Sequence, residues 1–168
     1  MDAADLGGLV VRRVSQSNAE ADAEALIAFD SVAAGGDEER AASIRRWCRQ
    51  GLVIVAERIV AEGIVAEGPS GPLGYCVTEY TFFEQGFVTL LMVSPSARRT
   101  GVGGLLLDAA AASCETPKLF TSTNVSNLPM QRLLQRAGWE PAGFLHGLDE
   151  GDPELFFRCR TRTGTTRP

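Results

Sequence analysis

From Val93 the chain reads Val93-Ser94-Pro95-Ser96-Ala97-Arg98-Arg99-Thr100-Gly101-Val102-Gly103-Gly104-Leu105-Leu106. Of the whole sequence, this is the stretch whose residue types and spacing most directly suggest chemistry. An apolar strand ends, a short loop turns, and a helix starts at two glycines separated by one residue. A helix start leaves several backbone N–H groups unpaired and adds the positive end of its dipole. A diphosphate suits such a place, because many donors can share its charge. Glycine at 101 and 103 lets the backbone come close to the oxygens, and Arg98 and Arg99 can add charge-assisted bonds. Two familiar phosphate loops are excluded. No Gly-x-x-x-x-Gly-Lys-Ser/Thr occurs, and the dinucleotide pattern Gly-x-Gly-x-x-Gly fails because Leu106 occupies its third glycine position. A glycine-rich helix start that binds nothing is the rival reading of the same residues.

Other chemistries have less to stand on. The four cysteines, Cys48, Cys76, Cys114 and Cys159, contain no Cys-x-x-Cys pair. Their irregular spacing argues against a zinc site or a disulfide framework, and for buried or half-buried thiols in a reducing compartment. His146 is the only histidine, which excludes a histidine-rich metal site and leaves a serine-hydrolase triad one possible base. A net charge of -5 gives no overall attraction to nucleic acid. No apolar run approaches the roughly 18 residues of a membrane span, and the acidic N-terminal stretch lacks a signal-peptide layout, so a cytoplasmic protein without membrane partners is expected.

The elements that must hold the loop can be read from periodicity. With 168 residues, one domain is expected, its core over about 9–160, with flexible tails at 1–7 and 161–168. Leu9 to Val14 reads as a strand. Ser17 to Ala34 reads as one helix with Ser17 as N-cap, and Asp37 to Gln50 as a second, acidic in its first turn and closed by Gly51. Three copies of one tetrapeptide, at 54–57, 59–62 and 64–67, recur every five residues, a period that fits neither strand nor helix. The first copy should be strand, and the later ones an enlarged hairpin or bulged extension. Leu73 to Tyr80 and Phe87 to Val93 read as strands joined near Glu84-Gln85-Gly86. Then follow a helix from Gly101 to Cys114, a strand from Lys118 to Thr123, and a helix from Asn127 to Ala137 closed by Gly138. Two antiparallel strands, Trp139 to Leu145 and Leu155 to Arg160, end the order. The sum is α/β (α+β): a mixed, mostly antiparallel sheet of about seven strands flanked by about four helices.

Arg98-x-x-Gly101-x-Gly103 after a strand and a proline resembles the acetyl-CoA signature of the GCN5-related N-acetyltransferase (GNAT) superfamily. The stretch from Leu119 to Trp139, with Asn127 and the pair Gly138-Trp139, is similar to that family's later strand and helix, and the likeness runs over about Val10 to Arg160. The resemblance implies a GNAT fold and acetyl transfer from acetyl-CoA to an amine by direct attack, with no metal. It implies that Leu91, Met92 and Val93 hold the pantetheine arm at a splay between the fourth and fifth strands. Arg98, Arg99, Thr100, Gly101, Val102, Gly103 and Gly104 would serve the diphosphate, and Asn127, Met130 and Leu134 would meet the cofactor from the other side. The Met92 N–H would stabilise the oxyanion. A homodimer is compatible with the family.

The sequence departs from the family at two positions. Where many relatives carry a tyrosine that protonates the leaving thiolate, this chain has Leu134; where many carry a glutamate on the fourth strand, it has Thr89. Glu79, on the neighbouring strand, is the candidate base; a solvated strand carboxylate is the alternative. The acidic turn at Asp149, Glu150, Asp152 and Glu154 could recruit a cationic amine or be a plain hairpin turn. Tyr75, Tyr80, Phe82 and Phe83 could line an acceptor pocket or pack the core. The rival function is a non-catalytic acyl-CoA-binding or sensing domain.

Overall fold

A computed structural model describes residues 8–58 and 71–161. The strands are β1 (Leu9–Arg13), β2 (Val53–Arg58), β3 (Gly71–Phe82), β4 (Gln85–Val93), β5 (Lys118–Asn124), β6 (Glu140–Leu145) and β7 (Glu154–Arg160). They form one seven-stranded sheet in the order β1-β2-β3-β4-β5-β7-β6. β1 with β2, β5 with β7 and β6 with β7 are antiparallel, whereas β4 and β5 are parallel. The helices are α1 (Ala19–Phe29), α2 (Ser31–Ala34), α3 (Glu38–Arg49), α4 (Val102–Ser113) and α5 (Leu128–Arg136). The seven-stranded mixed α/β sheet expected from periodicity is therefore present. The later copies of the tetrapeptide repeat lie outside the described residues, and the first copy lies in β2. The expected tails at 1–7 and 161–168 also lie outside them, except for Thr161, which is buried with its N–H on Pro117 O at 3.3 Å and so is not part of a flexible tail.

Tertiary contacts divide the chain into two compact units. One holds the described residues up to Tyr75 together with Met92–Val102; the other holds Cys76–Leu91 and the described residues from Gly103 onward. In the first unit α1 packs on α3, and Leu26, Ile44, Trp47, Cys48, Val53 and Val55 are buried. The guanidinium of Arg12 on β1 is gripped by both oxygens of Asp22 at 2.8 and 2.9 Å, and by Glu57 of β2 at 2.6 and 3.3 Å.

The single helix expected from Ser17 to Ala34 is instead broken. Asp30 is extended (ψ 114), and its side chain accepts the N–H groups of Val32 and Ala33, restarting the chain as α2. Asparagine, aspartate and serine favour this local capping over helix continuation. Ser17 does not cap α1: Asn18 takes the N-cap position without a side-chain bond, and the Ser17 hydroxyl meets Ser15 instead. The α3 reading holds, with Asp37 accepting the Arg40 N–H and Gly51 in a left-handed turn (φ 66).

In the second unit, Leu106, Leu107, Ala110, Leu119, Leu134, Trp139 and Phe157 are buried. The turn between β3 and β4 is Phe83-Glu84, both with positive φ (49 and 59), and not Glu84-Gln85-Gly86. Two left-handed residues match the twist of a two-residue hairpin. Gly86 is needed for another reason: a Cβ there would lie 2.7 Å from the Cys114 Sγ and 2.9 Å from Leu119 Cδ1. α5 closes as expected, with Gly138 at φ 78 and the Trp139 N–H returning to Leu134 O at 2.9 Å.

Candidate functional site

The glycine-rich loop belongs largely to the first unit. β4 ends at Val93, and the Ser94 N–H donates to Leu73 O at 2.9 Å, fixing where the loop departs. Pro95–Ala97 makes one 3₁₀ turn, after which Arg98 is extended. The Thr100 hydroxyl donates to Ala97 O at 2.7 Å, and Arg98 Nε donates to Val93 O at 3.3 Å. Arg99 and Gly101 both have positive φ (63 and 96). Left-handed residues just ahead of a helix turn consecutive N–H groups to one side, a concavity suited to an anion. α4 then starts at Val102, so the N–H groups of its first turn, including those of Gly103 and Gly104, have no carbonyl one turn back within the helix. Arg98, Arg99, Thr100 and Gly101 are exposed, and Val102 is buried. At Gly101 a Cβ would meet nothing within 4 Å, so conformation rather than crowding requires glycine.

Tyr75, also of the first unit, is fully buried. Its hydroxyl donates to Asp30 Oδ2 at 2.5 Å, and its ring meets Phe29 edge-on. Burial pushes the Asp30 carboxyl up, but bonds from Tyr75, Ala33 and Val32, with Arg40 at 3.8 Å, outweigh it and hold the carboxyl below its ordinary range. Asp30 had no distinguishing signal in the sequence beyond its place between two helical runs.

In the second unit, the β4–β5 ladder lasts three pairs: Gly86 with Leu119, Phe87 with Phe120, and Val88 with Thr121. β4 runs on to Val93 and β5 to Asn124, where it pairs with β7, so the two strands part after Val88. Leu91 follows this parting and is half-buried; Met92 and Val93, which belong to the first unit, are half-buried too. Thr89, exposed, donates its hydroxyl to Glu79 Oε2 at 2.9 Å, a bond between neighbouring strands. Asn127 caps α5, its Oδ1 accepting the Met130 N–H at 3.3 Å, which leaves the amide NH₂ as the donor it can offer a ligand. Met130 is half-buried and Leu134 fully buried.

The acidic turn is tied down by its own residues. Asn124 Nδ2 donates to Asp149 Oδ2 at 2.8 Å, and Asp152 accepts the Ser126 N–H at 3.0 Å and the Ser126 hydroxyl at 2.5 Å. Glu150 is exposed. The Tyr80 hydroxyl accepts the Glu115 N–H at 3.2 Å. Phe82 is ringed by Phe83, Phe87, Phe120 and Phe156 at centroid distances of 5.0, 4.8, 5.4 and 5.8 Å. Sequence reasoning took up Phe82 and Phe83 but missed Phe87, Phe120 and Phe156, although they alternate with buried residues on three strands. A cavity of about 340 Å³ between α4, the α5–β6 turn and β7, lined by Asp108, Trp139, Arg158 and Arg160 among others, contains none of the sequence candidates. Among the described residues there is no group of three or more side chains suited to a metal ion, and no helix is long and apolar enough to cross a membrane.

The profile of the Acetyltransferase (GNAT) family matches residues 25–139. No curated protein matches the sequence significantly. Among solved structures, a GNAT-family acetyltransferase from Bacillus cereus is 26% identical, with a TM-score of 0.73 over 92% of this chain and 99% of that one. Ard1 from Thermoplasma volcanium (18% identity, TM-score 0.66, 92% and 98% coverage) shares the fold. So does yncA from Salmonella typhimurium, solved with its cofactor acetyl-CoA (18%, 0.60, 92% and 94%).

Proposed function

The chain belongs to the GNAT acetyltransferase family, and from that premise we propose that it transfers the acetyl group of acetyl-CoA to a primary amine by direct attack, the whole chain acting as one catalytic domain. The observation that carries this reading is the loop: two left-handed residues, Arg99 and Gly101, open directly onto the first turn of α4. Backbone N–H groups from Arg99 to Gly104 would bind the diphosphate, with Arg98 and Arg99 adding charge. Leu91, Met92 and Val93 would hold the pantetheine arm where β4 leaves β5, and Asn127 and Met130 would bound the cofactor, while the fully buried Leu134 offers it no surface. The solved structure of yncA with acetyl-CoA supports the choice of cofactor.

The chemistry follows from what an amine needs. It arrives as an ammonium and attacks only as the free base. Glu79, oriented by the Thr89 hydroxyl, would take that proton. The nitrogen lone pair then forms a bond to the thioester carbonyl carbon, and the carbonyl electrons move onto oxygen, met by the Met92 N–H. The nitrogen, cationic after attack, loses its second proton to water, and collapse breaks the C–S bond to give the neutral amide and the CoA thiolate, which takes up a proton from water. Direct attack needs no acyl-enzyme, and burial pushes the thiols of Cys76 and Cys159 up to about 12 and that of Cys48 to about 11, above a nucleophile's range. Asp149 and Glu150 would add negative charge that attracts the amine. The free thiols also support a reducing, cytoplasmic setting.

One observation favours a second reading, a non-catalytic acyl-CoA-binding domain: Leu134, where many relatives have a thiolate-protonating tyrosine, is fully buried and can donate nothing. Calorimetric titration with acetyl-CoA, run beside a thiol-release assay over a panel of amines, separates the two. Binding with amine-dependent CoA release is the expected outcome. Binding without release from any amine would establish the second reading, and no binding would overturn both.

A further inference from the structure

Resting on the N-acetyltransferase reading, we propose that the acceptor is a small amine carried on an aromatic or bulky apolar body, and that Phe87, Phe120 and Phe156 form the wall that receives this body. The placement follows from strand geometry within one unit. Phe87 and Thr89 are two residues apart on β4, so they share a sheet face with Cα atoms about 7 Å apart. Phe120 is the register partner of Phe87, and Phe156 lies 6.2 Å from the Phe87 ring. Phe82 touches all three, at centroid distances of 4.8, 5.4 and 5.8 Å, and stacks on Phe156 with 17° between planes, so it is a fourth, half-buried member of the cluster. The rings thus run across β4, β5 and β7, beginning one side chain from Thr89 and the Glu79 carboxylate it contacts.

These rings are half-buried, unlike the core residues that alternate with them: Val88, Leu119, Leu155 and Phe157 are closed off, while Phe87, Phe120 and Phe156 keep exposed surface. A carboxylate at one end and aromatic faces along the rest match an ammonium attached to an apolar body. The carboxylate draws the cation, and the ring faces receive the hydrocarbon. A diamine or polyamine fits poorly, because its second ammonium would meet rings with no oxygen to accept its protons.

The test compares kcat/KM for 2-phenylethylamine, ethylamine and putrescine in the thiol-release assay on the full chain, with acetyl-CoA affinity measured in parallel. Phenylethylamine should exceed ethylamine and putrescine by at least about tenfold, the scale of burying a ring's apolar surface. Phe120→Ala should lower the phenylethylamine value by about tenfold, leave ethylamine within about twofold, and keep acetyl-CoA binding. Phe120→Leu, which keeps apolar bulk, should fall between them and supplies the answer if the alanine variant does not bind cofactor. Equal use of the three amines, preference for putrescine, or an equal loss for both monoamines in the variants would overturn the proposal while leaving acetyl transfer intact. Sedimentation showing a dimer abolished by Phe120→Leu would also overturn it, assigning the wall to a second copy. Acetyl-CoA binding without release from any amine marks instead the failure of the catalytic reading beneath it.

Discussion

Arg99 and Gly101 both adopt left-handed backbone, but a side chain at the two positions has different consequences. Arg99 bears the cost of a non-glycine residue at φ 63, whereas Gly101 at φ 96 lies further from what an L-residue accepts. Gly101→Val should therefore disturb the loop without crowding anything, since the space around its Cβ is open. Acetyl-CoA affinity measured by calorimetry should fall at least about 100-fold, the loss of two or more charge-assisted bonds, and the strained backbone should lower stability by about 1–3 kcal/mol. An unchanged Kd would remove the loop from the binding site. At Glu79 the change that isolates proton removal is Glu79→Gln, which keeps an acceptor for Thr89. It should lower kcat by roughly 10²–10⁴-fold and flatten the acid limb of the pH–rate profile while leaving acetyl-CoA binding intact. The loop glycines were legible in the sequence because their spacing is local. The Glu79–Thr89 bond was not, since it depends on the register of two strands that no local pattern records.

Asp30 decides the shape of the N-terminal helical segment. It ends one helix, caps the next, and receives the Tyr75 hydroxyl while wholly enclosed. Tyr75→Phe should destabilise the protein by about 1–3 kcal/mol in denaturant titration at neutral pH, because it removes one bond from a buried carboxylate. The pH dependence has a definite sign. The folded-state pKa of Asp30 lies below its ordinary value of 3.8, so its contribution is complete above that value and is lost as pH falls through the folded pKa. Asp30→Asn should flatten that acid limb of the stability curve, and an unchanged limb would assign the dependence to other carboxylates. Periodicity located this segment as helical but joined its two pieces, because apolar spacing continues across residue 30 while the break is made by a side chain folding back on its own backbone. The β3–β4 turn shows the converse. Gly86 suggested a turn and instead marks close packing on Cys114 and Leu119, while Phe83 and Glu84 turn without glycine.

Across the whole molecule, the order of strands and helices along the chain was readable because each segment's period is set within itself, whereas the order of strands in the sheet was not, since it depends on pairings between distant segments. The family resemblance could not supply the aromatic wall, which draws its residues from three strands distant in sequence. Thiol chemistry gives a check at this scale. Cys48, Cys76 and Cys114 are buried and Cys159 half-buried, so a thiol reagent such as DTNB at pH 8 should label the folded protein slowly and all four sites promptly in denaturant. Rapid native labelling of a stoichiometric thiol would show that one of these packing arrangements is wrong. The three-pair ladder between β4 and β5 carries a consequence in time as well as in space. Amides on the β5-facing edge of β4 beyond Val88 depend on something other than β5 to slow their exchange with solvent deuterium. In the cofactor-free protein they should exchange in seconds to minutes while those of Gly86–Val88 persist far longer, and acetyl-CoA should slow the first set alone. Protection would then be divided within one continuous strand, and the cofactor would act as the element that gives its second half the kinetic character of the first.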